Sequence, residues 1–471
     1  MGGGTRGGRC GRGLPDDREA QGARRAGHPR HAHREAHAVS AVSLFARGRL
    51  RDLSPATVAR LLARTPSDDA RLAAAVSAIL ADVKARGDAA LREMAASFDR
   101  VSLEAIEVPR RAWQDAAATL DPRVRSALER AATNIRRFHE AQMPTDVTLE
   151  VEPGVRITRT WTPLGRVGVY APGGRAAYPS SVLMGVVPAK AAGVGEVLVC
   201  SPPGPGGLPP REVLAACLIG GADRLFALGG AGAVAALTFG TESVPVVDAV
   251  VGPGNRWVTE AKRQVAGEVL IDSPAGPSEV LVLADASADA RLVALEIMAQ
   301  AEHDPDAACV LVTTSAALAA ATEAELAAQL ASAPRADICR QALTASGAVL
   351  VADSLDEAVD FANRYSPEHL SVMTASAAID ALRVRTAGTT FVGPAASVAF
   401  GDYMTGANHV LPTAGRARSF SGLSTINYLR SFTIQTITPE GAAAMVADVV
   451  ALAEAEGLPA HAAAARARRA S

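Results

Sequence analysis

From residue 150 onward, short apolar runs alternate with alanine-rich segments of helical period, and nothing else in the 471-residue chain restricts its fold as strongly. The runs cover 167–170, 196–200, 224–228, 244–250, 280–284, 309–313, 349–351 and 370–374, and helical patterns at 179–193, 231–240, 288–302 and 376–386 lie between them. An uninterrupted apolar run suits a strand buried on both faces, and a helix between two such strands supplies the crossover that parallel pairing needs. The pattern predicts an α/β protein with mostly parallel sheets. The span is too long for a single unit of this kind, so two Rossmann-like domains, each incomplete, are expected. With 49% of residues apolar and only 4% aromatic, Ala, Val and Leu must fill the cores.

The flanks read differently. Residues 54–142 have helical texture: Ser54-Pro55 caps one start, Ser67-Asp68-Asp69 precedes a stretch through Lys84, and Asp121-Pro122 opens another to about Gln142. Residues 438–470 are helical and end basic. Residues 1–46 are rich in Gly, Arg and His and too poor in apolar residues to build a core, which reads as a disordered extension or a start placed too early. Four histidines of this tail (His28, His31, His33, His37) form a metal-loading tract or simply a solvated one.

Bulk charge narrows the function. A net charge of −2 offers no general attraction for nucleic acid, and no apolar run is long enough to span a bilayer. The cysteines (Cys10, Cys200, Cys217, Cys309, Cys339) are scattered and odd in number, as in a reduced, cytoplasmic protein.

Chemistry concentrates in a few strings. Gly230-Ala-Gly232-Ala-Val-Ala235 follows an expected strand, opens a helix, and is followed by Asp248, the pattern of a dinucleotide turn; tight helix–strand packing explains it equally well. Pro172-Gly173-Gly174, Gly252-Pro253-Gly254-Asn255 and Pro274–Ser278 are further Gly/Pro turns at strand ends, where backbone can approach a ligand. Gln300 and His303 share a face at a helix C-terminus, where a cation is favoured; a polar last turn would look the same. Glu368 and His369 follow Pro367 at a loop-to-strand junction. Adjacent strand residues point to opposite faces, so the junction must be irregular for both to serve one substrate.

Taken together these strings resemble the histidinol dehydrogenase family, from about residue 50 to the C-terminus. The resemblance is carried by Arg166–Gly174, Tyr178–Met184, Gly252–Lys262, Pro274–Val282, Gln300–His303, Pro367–Leu370 and the block from Gly401 to Thr413. It implies oxidation of L-histidinol by NAD+, twice, through histidinal to L-histidine. It implies one Zn2+ per subunit on Gln300, His303, Asp402 and His461, and a homodimer whose C-terminal histidine reaches the neighbouring site. By the same resemblance His369 is the general base and Glu368 activates water. Ser180, Ser278, His409 and Glu456 join His369 and the metal residues around the substrate, and Tyr170, Gly232 and Asn255 contact NAD+. The domain organisation it suggests is an extension at 1–46, an N-terminal helical segment at 47–66, a first α/β domain of 67–169 with 279–421 carrying the zinc and catalytic residues, an NAD-binding domain at 170–278, and a helical dimerisation arm at 422–471.

The chain departs from the family pattern at four places. Gly232 stands where Gln is usual, Gly185 where Asn is common, Pro394–Val398 replaces a stretch with Tyr-Thr-Pro, and Asn427-Tyr428 replaces Asp-Phe. A relative oxidising another small primary alcohol, such as a sulfonated diol, and a non-catalytic zinc- or nucleotide-binding protein are the alternatives. The Glu368-His369 pair argues against the second.

Overall fold

The computed structural model describes residues 42–64, 69–173, 177–273 and 276–468. The histidine-rich tract, the Ser67-Asp68 cap, Gly174 of the first Gly/Pro turn and Pro274-Ala275 of the third lie outside the described residues.

In chain order the strands are β1 (Ala46–Arg49), β2 (Val147–Glu152), β3 (Val155–Pro163), β4 (Arg166–Tyr170), β5 (Glu196–Ser201), β6 (Arg224–Ala227), β7 (Ala249–Val251), β8 (Leu270–Ile271), β9 (Glu279–Ala284), β10 (Ala308–Thr313), β11 (Gly347–Val351), β12 (His369–Met373), β13 (Thr389–Val392) and β14 (Leu429–Ile437). Two sheets are entirely parallel. One runs β1-β11-β10-β9-β12-β13 and the other β6-β5-β4-β7-β8. Leaving β1 aside, both place their first strand in the middle with later strands on either side, the order that makes a switch point beside that strand.

Side chains divide between the two faces of each sheet with period two, as continuous apolar strands require. Val280, Val282 and Ala284 pack on one face of the first sheet, and Leu281 and Leu283 on the other. In the second sheet Val197 and Val199 face one core while Leu198 and Cys200 face the opposite one. Burying each Val or Leu in this way contributes about 1.5–3 kcal/mol.

Four expectations need correction. Residues 42–46 pack rather than trail: Val42 joins the core of the first sheet and Ala46 begins its edge strand. The helical region after residue 69 belongs with the second sheet, because Val76, Leu80, Val83 and Leu91 pack on one of its faces and Trp113, Leu128 and Ile135 on the other. The start of that sheet also falls earlier than residue 170, at Arg166 in its central strand. Finally, the C-terminal arm is not wholly helical. β14 pairs antiparallel with β3, which pairs with β2, forming a three-stranded ribbon ahead of helices Pro439–Ala455 and Pro459–Arg466. Among the described residues no helix is long and apolar enough to cross a membrane.

Two of the departures meet in the structure. Gly185 lies in helix Pro179–Ala191 against central strand β4, where an added Cβ would stand 2.3 Å from Val169 Cγ1. The buried Tyr428 hydroxyl donates to the Gly185 carbonyl at 2.9 Å. Gly185→Ala is expected to destabilise by about 1–3 kcal/mol through overpacking, seen as a lower urea midpoint with an unchanged slope. A midpoint at or above the wild-type value would rule this packing out.

Candidate active site

β9 and β12 are neighbours in the first sheet, paired so that His369 stands beside Val280. Immediately before β12 the chain turns through Ser366 in a left-handed conformation (φ 50°) and Pro367. That turn is the irregularity the adjacent Glu368 and His369 require. Glu368 Oε2 accepts the Glu279 N–H at 2.7 Å, while His369 Nδ1 donates to the Glu279 carbonyl at 2.9 Å. A carbonyl only accepts, so Nδ1 carries the proton and Nε2 is the basic atom of the neutral ring. Nε2 is buried without a hydrogen-bond partner and lies 3.8 Å from Asp402 Oδ1.

The surroundings set the protonation states. Burial pushes His369 down to about 4, with His303 and His409 adding to the effect, so its imidazole is neutral near pH 7. Burial likewise lowers His409 to about 4. Glu368 is raised well above the usual carboxylate range by burial and by the neighbouring Glu279 charge, opposed by the Glu279 N–H and a Ser278 hydrogen bond. Asp402 is pushed up to about 7 by burial and by Glu296. A carboxylate with a raised pKa is a stronger proton acceptor once ionised, which suits acid–base work.

His369, Asp402 and His409 line one small pocket together with Thr389, Phe391 and Leu411. The helix Val398–Tyr403 presents Asp402, and the Asp402 carbonyl receives His409 Nδ1 at 2.9 Å. His303 lies close enough to lower both His369 and His409. Three residues before it, in the last turn of helix Ala290–Ala301, is Gln300, 1% exposed, with both amide atoms unpartnered. Gln300, His303 and Asp402 therefore offer oxygen and nitrogen donors that suit a zinc ion. Among the described residues, no group of three or more His, Cys, Asp or Glu side chains is arranged to hold a metal. The remaining expected ligand, His461, is exposed on helix Pro459–Arg466, and Glu456 is exposed just before it.

Other named residues have structural neighbours. Ser181, next to Ser180, approaches His409, with Oγ 3.5 Å from Nε2. Gly232 is buried in helix Gly230–Phe239, where an added Cβ would lie 3.1 Å from Met94 Sδ, so that position looks onto a neighbouring helix. Asp248 is used structurally: Oδ2 accepts the Gly165 and Arg166 N–H groups, each at 2.9 Å, at the N-terminal ends of β4 and β7, opposite the expected nucleotide crevice. Tyr170 and Asn255 do sit at the C-terminal ends of β4 and β7, the switch point of the second sheet. The Tyr170 hydroxyl accepts the Gly230 N–H at 3.2 Å and Asn255 caps helix Arg256–Val265.

The sequence reading missed Glu279, Arg64 and Glu296. Glu279 and Glu296 were detectable as charges inside apolar stretches, and both are buried. Glu296 Oε2 accepts the Val398 N–H at 3.0 Å, capping the short helix that carries Asp402.

Comparison with known proteins bears on this geometry. The family model for histidinol dehydrogenase matches residues 62–469. A histidinol dehydrogenase of Methanosarcina mazei is 49% identical over 421 residues, covering 89% of this chain and 97% of its own. One from Streptomyces avermitilis is 48% identical over 412 residues, covering 87% and 93%. The crystal structure of histidinol dehydrogenase from Elizabethkingia anophelis superposes with a TM-score of 0.85 at 34% identity, covering 90% of this chain and 98% of that one.

Proposed function

Since the chain belongs to the histidinol dehydrogenase family, whose members oxidise histidinol in histidine biosynthesis, we propose that it carries L-histidinol through L-histidinal to L-histidine at the expense of two NAD+. The observation that carries the reading is the buried pair Glu368 and His369, anchored on the backbone of one residue with His369 Nε2 unpartnered beside Asp402. In the first oxidation Nε2 takes the hydroxyl proton as hydride leaves the carbinol carbon for the nicotinamide. Water then adds to the aldehyde, giving up a proton to the Glu368 carboxylate. The resulting hydrate loses a second proton and a second hydride, giving the carboxylate. A closed pocket limits escape of the aldehyde between the two steps.

Gln300, His303 and Asp402 would hold a zinc ion together with His461 from a second copy, one ion per subunit. When bound, the ion would anchor the substrate imidazole and amine and so fix the carbinol carbon. Exposure of His461 and Glu456 on the C-terminal arm supports a homodimer with shared sites. So do the exposed Val147, Leu149, Val151, Phe432 and Ile434 of the ribbon, which are costly to leave in water. Tyr170 and Asn255 border the NAD+ crevice. Retention of the enzyme in the cytoplasm fits the free, buried Cys200, Cys217, Cys309 and Cys339 of the described residues.

The test is NADH formed per L-histidinol consumed, with and without a chelator. Two NADH per histidinol, lost on chelation and restored by zinc, is the expected result. No NADH from histidinol in zinc-loaded protein would redirect the search to another small primary alcohol, such as a sulfonated diol.

A further inference from the structure

We propose that Glu279 and Arg64 are positioning residues for the Glu368–His369 pair, Glu279 through its main chain and Arg64 by holding Glu279 and the 365–369 turn together. The inference rests on the catalytic roles given to that pair above. Both catalytic side chains are hydrogen-bonded to one residue: the Glu279 N–H serves Glu368 and the Glu279 carbonyl serves His369. Any rotation of that residue displaces the water-activating carboxylate and the base at the same time.

The Glu279 side chain is itself held on both oxygens. Oε2 pairs with Arg64 Nη1 at 2.7 Å, and Oε1 accepts the Ala414 N–H at 2.6 Å. The Arg64 side chain is 5% exposed. Its Nη2 donates to the Tyr365 carbonyl, and its guanidinium lies over the Tyr365 ring at 3.5 Å from the centroid. Tyr365 is three residues before Glu368. One planar, permanently charged fork thus bridges the start of β9 and the turn into β12. The loop at Ala414 is tied in as well, and the adjacent Thr413 Oγ1 accepts the Gly276 N–H at 2.5 Å. A buried ion pair is a poor source of net stability. Here it joins the start of β9, the turn into β12 and the loop at Ala414.

The experiment compares Glu279→Gln and Arg64→Lys with wild type in kcat, KM for L-histidinol, zinc content and thermal unfolding. Glu279→Gln keeps the main-chain contacts and the side-chain shape but loses the charge. Arg64→Lys keeps the charge but cannot span Glu279 and Tyr365 at once. Kcat should fall about ten- to a hundredfold, with KM changed less than about twofold and zinc content at the wild-type level. If Glu279→Gln fails to fold, Arg64→Lys carries the same expectation. Unchanged kcat, or parallel losses of zinc, KM and kcat, would overturn the proposal. His369→Asn serves as the control: full turnover in that variant means the catalytic reading itself has failed, whereas its loss beside an active Glu279→Gln refutes only the positioning role.

Discussion

His369→Asn is expected to lower kcat by about 10²- to 10⁴-fold, the usual contribution of a positioned general base. The substitution is chosen for what it keeps. An Asn amide nitrogen can occupy the place of Nδ1 and still donate to the Glu279 carbonyl, the 2.9 Å bond that anchors the ring. It cannot supply Nε2, the atom left unpartnered beside Asp402. Fold and zinc content should therefore match wild type while turnover collapses. The wild-type ring is already neutral near pH 7, because burial holds it at about 4. The loss therefore reports a missing proton acceptor and not a missing charge. Kinetics, circular dichroism and metal analysis on the same preparation decide it, and unchanged turnover would remove His369 from the mechanism.

Lys262→Met should produce the largest loss of stability, about 3–5 kcal/mol, the cost of leaving a buried charge without its partner. Natural domains have only about 5–15 kcal/mol in all. Lys262 is 1% exposed on helix Arg256–Val265. Its ammonium pairs with the Asp272 carboxylate and donates to the Gly252 carbonyl at 3.0 Å. Asp272 in turn accepts the Gly252 N–H at 2.8 Å and the Ser273 N–H at 2.8 Å. The pair clamps a turn that only glycine can make at this position, with Gly252 at φ +114° and an added Cβ 2.2 Å from the Tyr170 carbonyl. That turn leads to Asn255, so KM for NAD+ should rise with the loss of stability. Adding Asp272→Asn to Lys262→Met should recover part of the midpoint, since the neutral amide still accepts from Gly252 without an unpaired charge. A single-variant midpoint within about 0.5 kcal/mol of wild type, the range of ordinary surface changes, would show that the pair is not needed to hold the turn.

The sites differ in how far they could be read from the chain. Gln300-Ala-Glu-His303 and Glu368-His369 were visible because few histidines lie beyond the tail and these stand beside Glu or Gln. That Glu368 and His369 are anchored on one residue was not visible, since it depends on the left-handed Ser366 and on the backbone of Glu279, 89 and 90 residues away. Asp248 was misleading because sequence spacing does not say at which end of the strands a residue comes to lie. The apparent nucleotide glycine, Gly232, faces Met94 from a helix distant in sequence. The ribbon was missed although β2 alternates strictly, with Val147, Leu149 and Val151 on one face and Thr148, Glu150 and Glu152 on the other, a period of two that the chain did offer.

The sequence alone determined the α/β class, the positions of the central strands and the residue types available for chemistry. Those properties are local: an apolar run of strand length buries both faces whatever its neighbours are. Only the tertiary structure decided that helices after residue 69 cover the second sheet, that Ser181 meets His409, and that Arg64 and Glu279 stand beside Glu368 and His369. Each of these pairings joins residues far apart in the chain, and their closeness is set by how whole elements pack, which no local pattern encodes.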